Sequence, residues 1–471
     1  MKRTLIHNLS ANAAQLIVNQ VFGLAIFYIL STQLDKSNFG QINLVLAILL
    51  AVFNVLSMGI DQLIIKKVAQ GEALQTMLWL YIFHVVIAGC LFYGILLAGK
   101  FLFASNNVTY QLLLLLGVGK LMIFFSTPFK QITSGLERFR LLAYMSCTSN
   151  ILRSIGLIIF ALLHTISMRT VVIVFIAGDL AELVIAAYLF RHNVTARLSF
   201  TWNKQNYIQL VREAIPQTGV VMITSALARF DWIFIGLMLS TVKLAEYSFA
   251  YKVFEMAMLP LSAIAPLLIP RFTKLFNNNQ PDTERLKFLV QVEMAVAAFV
   301  VLALNVYWSP AIDAITHGKY GLVNMNTIFI LSLCMPLLYL NNFLWTMYFA
   351  QGKLKMILRA FIITLIVNVV GDIVLIRLLA NEGAALAFLL SCMAQAIFFL
   401  AKIDIPQLTV IWKPTVLCTA CAVAGIYACR LLAIDQWFVL IVATLLYLLL
   451  LFSIGQIKLN YRQKLVDLVN L

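Results

Sequence analysis

The chain has 471 residues, of which 62% are hydrophobic and 11% charged. Soluble domains run about 45–50% apolar and about 25% charged, so this composition excludes an ordinary soluble enzyme, and it excludes disorder, which needs low hydrophobicity. The formal net charge is +15; in a soluble protein that points to nucleic acid, in a membrane protein to loop topology, and position along the chain decides between them.

Apolar runs of about 20 residues, enough to cross a bilayer, recur from end to end. They predict spans at 11–33, 40–64, 74–98, 108–129, 142–163, 170–190 and 216–239, then at 247–269, 288–308, 325–350, 357–378, 383–401, 415–432 and 437–455. The runs are continuous rather than alternating, which selects helices over a barrel. The first follows Lys2 and Arg3, as a signal peptide would. Its core carries Asn12, Gln15, Asn19 and Gln20 and offers no small-residue cleavage site, so it reads as a retained helix. The expected fold is therefore an all-α integral membrane protein with about 14 transmembrane helices. Two six-helix bundles (1–200 and 201–402) would surround a central cavity, with an extra helix pair and cytoplasmic tail at 403–471.

Two long connections punctuate the series. Residues 191–215 pass from a basic stretch into Trp202–Glu213, a segment suited to the membrane surface. Residues 271–286 hold Asn277, Asn278, Asn279, Gln280 and Pro281, a polar linker. A weak repeat accompanies them: Leu30-Ser31-Thr32 closes the first span and Leu239-Ser240-Thr241 the seventh. Two halves running the same way would be related by an axis along the membrane normal.

With the N-terminus placed inside, most of the 34 Lys and Arg fall on the cytoplasmic side. Only Lys36, Lys100, Arg169, Lys243, Lys319, Arg377 and Arg430 fall opposite. This bias predicts both termini in the cytoplasm and absorbs most of the positive charge without nucleic acid. The cysteines (Cys90, Cys147, Cys334, Cys392, Cys418, Cys421, Cys429) all lie in apolar stretches, so even the Cys418/Cys421 pair reads as small apolar residues rather than a metal or redox site.

Ionisable groups inside a bilayer are costly and mark pathways or partners. Four basic residues lie within the predicted spans: Lys120, Arg153, Arg229 and Lys252. The acidic ones are Asp61, Asp179, Glu182, Asp231, Glu255, Glu293 and Asp372. Helical spacing aligns Asn43, Asn54, Ser57 and Asp61 in one stripe. It likewise aligns Ser146, Asn150 and Arg153; Thr218, Ser225 and Arg229; Thr364, Asn368 and Asp372; and Asn12, Gln15 and Asn19. Such stripes suit either a polar cavity or interhelical hydrogen bonds. For Arg229 and Arg153 the cavity is the reading adopted. Lys252 and Glu255, at i, i+3, can pair. Asp179 and Glu182 would repel if both were ionised, so one is protonated or faces Lys120 or Arg153, or serves as a proton or cation site. Arg229 and Asp231 lie roughly 200° apart on a helix and do not share a face. Pro260, Pro266, Pro270 and Pro336 are candidate kinks. There is no phosphate loop, no HExxH and no nucleophile–His–acid set; His84 and His164 read as structural, and the chain reads as no enzyme.

Several segments resemble one family. Leu34-Asp35-Lys36-Ser37-Asn38-Phe39-Gly40-Gln41-Ile42 is similar to the first outer loop of polysaccharide flippases. Met58-Gly59-Ile60-Asp61 resembles the end of their second helix. Ser134-Gly135-Leu136-Glu137-Arg138-Phe139 resembles their loop between helices four and five. Val367-Asn368-Val369-Val370 through Asn381-Glu382-Gly383-Ala384-Ala385-Leu386-Ala387 resembles their eleventh-to-twelfth helix pattern. These segments span about residues 5–400 and match the Wzx-type O-antigen and polysaccharide flippases of the multidrug/oligosaccharidyl-lipid/polysaccharide exporter superfamily.

That resemblance implies alternating-access transfer of undecaprenyl-pyrophosphate-linked repeat units from the cytoplasmic to the periplasmic leaflet of the bacterial inner membrane. The product would be O-antigen, capsule or exopolysaccharide. The family's cationic cavity makes Arg229, Arg153, Lys120 and Lys252 the expected phosphate contacts, with Asn12, Gln15, Asn19, Asn54, Asn150, Ser225 and Asn368 as polar lining. Asp61, Asp179, Glu182, Asp231, Glu255 and Asp372 are candidates for coupling to H+ or Na+; no cofactor or metal is expected. Implied partners are the lipid-linked glycan and membrane lipid, with a polysaccharide polymerase and a chain-length regulator. The competing readings are a cation-coupled multidrug exporter of the same superfamily and a peptidoglycan lipid II flippase; fourteen spans also suit the latter. A membrane glycosyltransferase or ligase needs large outer loops, and these are short.

Overall fold

A computed structural model describes residues 2–101, 108–194, 202–259, 261, 283–405, 408–431 and 438–456. Among them every regular element is a helix. The chain divides into two compact units, Met1–Gly236 and Leu237–Leu471.

The first unit carries α1 (Lys2–Gln33), α2 (Lys36–Ser57), α3 (Ile60–Ala69), α4 (Leu74–Ala98), α5 (Val108–Gly135), α6 (Phe139–Leu162), α7 (Met168–Asn193) and most of α8 (Lys204–Met238). Starts are set by local chemistry. Asp35 caps α2 by accepting from the Asn38 N–H at 2.8 Å. Ser167 and Thr170 form a reciprocal capping box at α7, at 3.3 and 2.8 Å. Each contact satisfies an amide that the first turn leaves open. The second predicted span divides: Met58 and Gly59 both take positive φ (48° and 68°), ending α2 and starting α3. A Cβ on Gly59 would also sit 2.6 Å from Gln217 Cγ, so the position needs glycine for both reasons. The stripe drawn from Asn43 to Asp61 therefore does not run along one helix. Asp61 lies instead in the first turn of α3, where the helix dipole favours a carboxylate.

The second unit carries α9 (Thr241–Ala257), α10 (Thr283–Thr316), α11 (Met325–Ala350), α12 (Leu354–Leu400), α13 (Trp412–Leu431) and α14 (Val439–Ser453). Ser240 caps α9 through the Lys243 N–H at 3.2 Å. Its counterpart in the apparent repeat, Ser31, instead bonds back to the Tyr28 carbonyl inside α1 at 2.8 Å, so the shared tripeptide does not have a shared role. Within α12 the backbone leaves the helical region at Ala380 (φ 51°, ψ −127°). A Cβ on Gly383 would lie 2.0 Å from the Leu375 carbonyl oxygen, and one on Gly371 would lie 2.9 Å from Ala387 Cβ. Contacts 375–383 and 371–387 share one midpoint, so α12 is two helices folded back to back through small residues. This is the predicted 357–378/383–401 pair.

Ten helices among the described residues are long and apolar enough to cross a membrane. An eleventh arises if the bent pair Gln217–Leu227 and Arg229–Met238, at 55°, is one span. The described residues do not confirm the expected count of fourteen. The folded α12 counts once and α14 has only 15 residues. The predicted span 247–269, with Pro260, Pro266 and Pro270, runs past α9 out of the described residues, as does most of the linker at 271–286.

Candidate functional site

In the first unit the intramembrane charges collect on α5, α6 and α7. Glycine allows this. A Cβ at Gly119 of α5 would sit 2.5 Å from Asp179 Oδ2, and one at Gly178 of α7 would sit 2.7 Å from Arg153 Cγ. Polar heads occupy volume that any larger residue would fill.

Two ion pairs form there. The Arg153 guanidinium donates to Asp179 Oδ1, and the Ser149 hydroxyl donates to the same oxygen at 2.9 Å. Arg153 also lies 4.5 Å from the Phe175 ring centroid, a cation–π distance. One turn along α7, Glu182 Oε1 accepts from Lys130 Nζ at 2.6 Å. Arg153, Asp179 and Glu182 are buried. Each of the two adjacent carboxylates thus has its own cation, and their i, i+3 repulsion is offset twice. In the sequence Lys130 follows directly on the apolar run that ends at Phe129 and therefore counts as a cytoplasmic topology charge. The available signal was that two carboxylates on neighbouring turns require two cations.

Lys120 is the remaining cation. Its electrostatic neighbours are Arg153, Asp179, Glu182 and Lys130. Among the described residues it makes no ion pair within 4 Å. With three basic and two acidic side chains, the group carries one positive charge in excess, on Lys120. This arrangement can hold a compact anion while the other charges remain balanced.

The uncharged candidates are placed as bridges between helices. Asn150 Nδ2 donates to Asn19 Oδ1 at 3.0 Å, joining α6 to α1. The Cys147 thiol lies 3.8 Å from the Gln15 carbonyl oxygen. Asn54 Nδ2 donates to Ser225 Oγ at 2.9 Å, joining α2 to α8. The Asn12 side chain lies outside the described residues. On α8, the Arg229 guanidinium stands 4.5 Å from the Trp232 ring. Asp231 is buried and accepts from the Trp232 N–H at 2.8 Å. In the second unit Lys252 and Glu255 pair at 2.7 Å, as their spacing predicted. Asn368 and Asp372 lie buried one turn apart on α12. All the described cysteines are free thiols, six of them buried, and no group of three potential metal ligands occurs among the described residues.

A second polar junction closes the α2–α3 break. His84 Nε2 lies 2.9 Å from the Leu56 carbonyl oxygen, which requires an N–H donor on that nitrogen. Nδ1 is then free to accept from Tyr207 OH at 3.1 Å. Thr218 Oγ1 donates to the Met58 carbonyl at 2.9 Å. These side chains satisfy carbonyls left open by the break. The segment expected along the membrane surface docks here: Trp202 lies 3.8 Å and Tyr207 5.3 Å from the Phe83 ring, centroid to centroid. At the end of α3, Lys67 Nζ lies 3.0 Å from both Glu72 and Glu213. Partial burial acts to lower the Lys67 pKa, but these two carboxylates outweigh it and hold it raised. Hydrogen bonds from Lys67 and Gln209 hold Glu213 below the usual carboxylate value.

The backbone as a whole is similar to that of solved transporters. It resembles the lipid II flippase MurJ in an inward closed conformation, with TM-score 0.75, 14% identity, and 96% of this chain and 99% of that one covered. It also resembles an inward-facing multidrug resistance MATE family transporter of the MOP superfamily, with TM-score 0.65, 13% identity, and 86% and 98% covered. A third is a MOP superfamily transporter from Pyrococcus furiosus described as having a binding pocket of reverse polarity (TM-score 0.59, 13% identity, 85% and 94% covered). At these identities the likeness is one of fold, and the proteins that share it are transporters and a flippase, not enzymes. No curated protein matches the sequence. The sequence profile described as "Polysaccharide biosynthesis protein" matches residues 5–276. That is more than half of the chain, which belongs to the polysaccharide biosynthesis protein family.

Proposed function

We propose that the protein is a flippase for undecaprenyl-pyrophosphate-linked oligosaccharide repeat units. It carries them by alternating access from the cytoplasmic to the periplasmic leaflet of a bacterial inner membrane, for O-antigen, capsule or exopolysaccharide. The observation that carries this reading is the family match over residues 5–276. The physical problem is specific. A sugar hydroxyl taken into hydrocarbon without a partner costs about 4–8 kcal/mol on a cyclohexane reference, so a headgroup with several hydroxyls and a pyrophosphate does not cross unaided. A polar path removes that barrier. With the cell interior negative, outward movement of the anion is favoured by about 2.3 kcal/mol per charge per 100 mV.

The excess cation Lys120 supports this reading and becomes the first-ranked phosphate contact, with Arg229 second. Arg153 and Lys252 already have carboxylate partners. The same pairing weighs against a cation-coupled drug exporter using this group. Asp179 and Glu182 are neutralised by Arg153 and Lys130, and the excess charge has the wrong sign for a cationic drug. Both termini lie in the cytoplasm in this reading. H+ or Na+ supplies the coupling, and a polymerase and a chain-length regulator receive the product.

The test is deletion of the gene followed by extraction of lipid-linked glycans and assay of their leaflet. One glycan should accumulate in the cytoplasmic leaflet, and a plasmid copy should clear it. A Lys120→Met copy that is expressed at the wild-type level should not. Unchanged lipid-linked glycans together with increased drug sensitivity would overturn the reading in favour of the exporter.

A further inference from the structure

Glu293 stands apart from the paired carboxylates described above. It lies on α10, seven residues inside an apolar window that begins at Leu286, about 10 Å along the helix. Only 5% of its surface is exposed. Among the described residues neither carboxyl oxygen has a hydrogen-bond partner and no cation lies within 4 Å of it. Asp179, Glu182, Glu246 and Glu255 each have a basic partner; Glu293 has none.

Among the described residues its surroundings offer no compensating charge. α10 packs against α11, α13 and α14. α11 and α14 contain no Lys, Arg, Asp or Glu, and α13 has only Lys413 and Arg430, at its two ends. Besides those two ends, the titratable groups on these helices are Cys334, Tyr339 and Tyr348 on α11, Cys418, Cys421, Tyr427 and Cys429 on α13, and Tyr447 on α14. The Tyr447 hydroxyl donates to the Ala295 carbonyl at 2.8 Å. On α10 itself Lys287 is paired with Glu284 at 2.8 Å.

A carboxylate in such a place has neither solvent nor counter-charge, and the group escapes the Born penalty by keeping its proton. A neutral acid here contributes nothing that leucine or glutamine would not contribute better to packing. What only a carboxyl can do is exchange that proton. We propose that Glu293 is a proton-binding site of the second unit: it holds –COOH while enclosed as here, and when the unit opens to water it becomes –COO−, the proton passing to solvent. The occupant is a proton rather than a metal cation, because no group of three potential metal ligands forms among the described residues. Coupling of this exchange to substrate movement rests on the flippase reading; the proton site itself does not.

The experiment is infrared titration of the full-length protein in lipid nanodiscs, wild type against Glu293→Gln. The wild type should show a carboxylic-acid carbonyl band at neutral pH that disappears as pH rises, and E293Q should lack it. Spectra of E293Q and wild type that coincide across the titration would overturn the proposal. If E293Q does not fold, dicyclohexylcarbodiimide, which reacts with protonated carboxyls in apolar surroundings, is applied to the wild type at neutral pH and the adducts are mapped by mass spectrometry. Modification at Glu293, falling at least tenfold at alkaline pH, supports the site. Modification of other carboxyls with none at Glu293 overturns it. A proton site verified in a protein that proves not to flip glycans would retire the flippase reading and leave this one standing.

Discussion

Arg153 separates a substrate contact from a structural ion. Arg153→Met removes a buried guanidinium and leaves Asp179, 2% exposed, with only the Ser149 hydroxyl at 2.9 Å. Breaking one side of a buried pair costs roughly 3–5 kcal/mol, because the surviving charge stays desolvated. The lost stacking on Phe175 at 4.5 Å acts in the same direction. The double variant Arg153→Met/Asp179→Asn removes both charges, keeps the hydrogen-bond geometry around Ser149 and should recover most of that loss. Thermal unfolding of purified protein in one detergent, read by monodisperse recovery, measures both. A double variant no more stable than R153M would refute the pair as the source of the cost. Transport then divides the roles. If Arg153 serves mainly Asp179, the double variant clears the accumulated lipid-linked glycan; if Arg153 holds phosphate, stability returns without clearance.

Gly383→Ala should destabilise by several kcal/mol, since its Cβ would meet the Leu375 carbonyl at 2.0 Å and backbone cannot yield cheaply, about 1–3 kcal/mol being the range for ordinary overpacking. Gly94→Ala, with nothing within 4 Å, should be neutral or slightly stabilising in the same thermal assay. His84→Ala leaves the Leu56 carbonyl without its donor and should cost about 1–3 kcal/mol; His84→Gln, whose amide can still donate, should cost less. Glu213 is held below its ordinary value of 4.5 by Lys67 and Gln209. Its contribution is present above that value and is lost as pH falls through the lower folded one. The wild type's thermal advantage over Glu213→Gln, small because the group is exposed, should therefore be seen at neutral pH and vanish in strong acid.

The fold class was legible because a bilayer demands long apolar runs, and those runs can be read one at a time. Their interruptions were harder. The 40–64 run is apolar throughout, yet Met58 and Gly59 turn the backbone left-handed, and hydropathy does not register a φ angle. The turn at Ala380 was legible because Asn381 and Gly383 punctuate it; there a small residue and a polar one coincide. The candidate site divides in the same way. Spacing along one helix gave Lys252–Glu255 outright. It could not give Arg153–Asp179 or Lys130–Glu182, because those partners lie on different helices and the register between helices is set by side-chain packing, not by sequence distance.

Charge balance constrains that register. A carboxylate buried in hydrocarbon selects a helix packing that brings it a cation, so Asp179 and Glu182 on α7 fix where α6 and α5 must present Arg153 and Lys130. Once those two demands are met, the third cation has no structural task left. Within this group, then, residues needed to hold the helices together occur as pairs, and a residue retained for a visiting charge stands outside them. By that criterion the net charge of +15 is the wrong quantity to follow into function: what bears on it is Lys120 within the ion-pair group of the first unit and Glu293 on α10 in the second, neither with an ion-pair partner among the described residues.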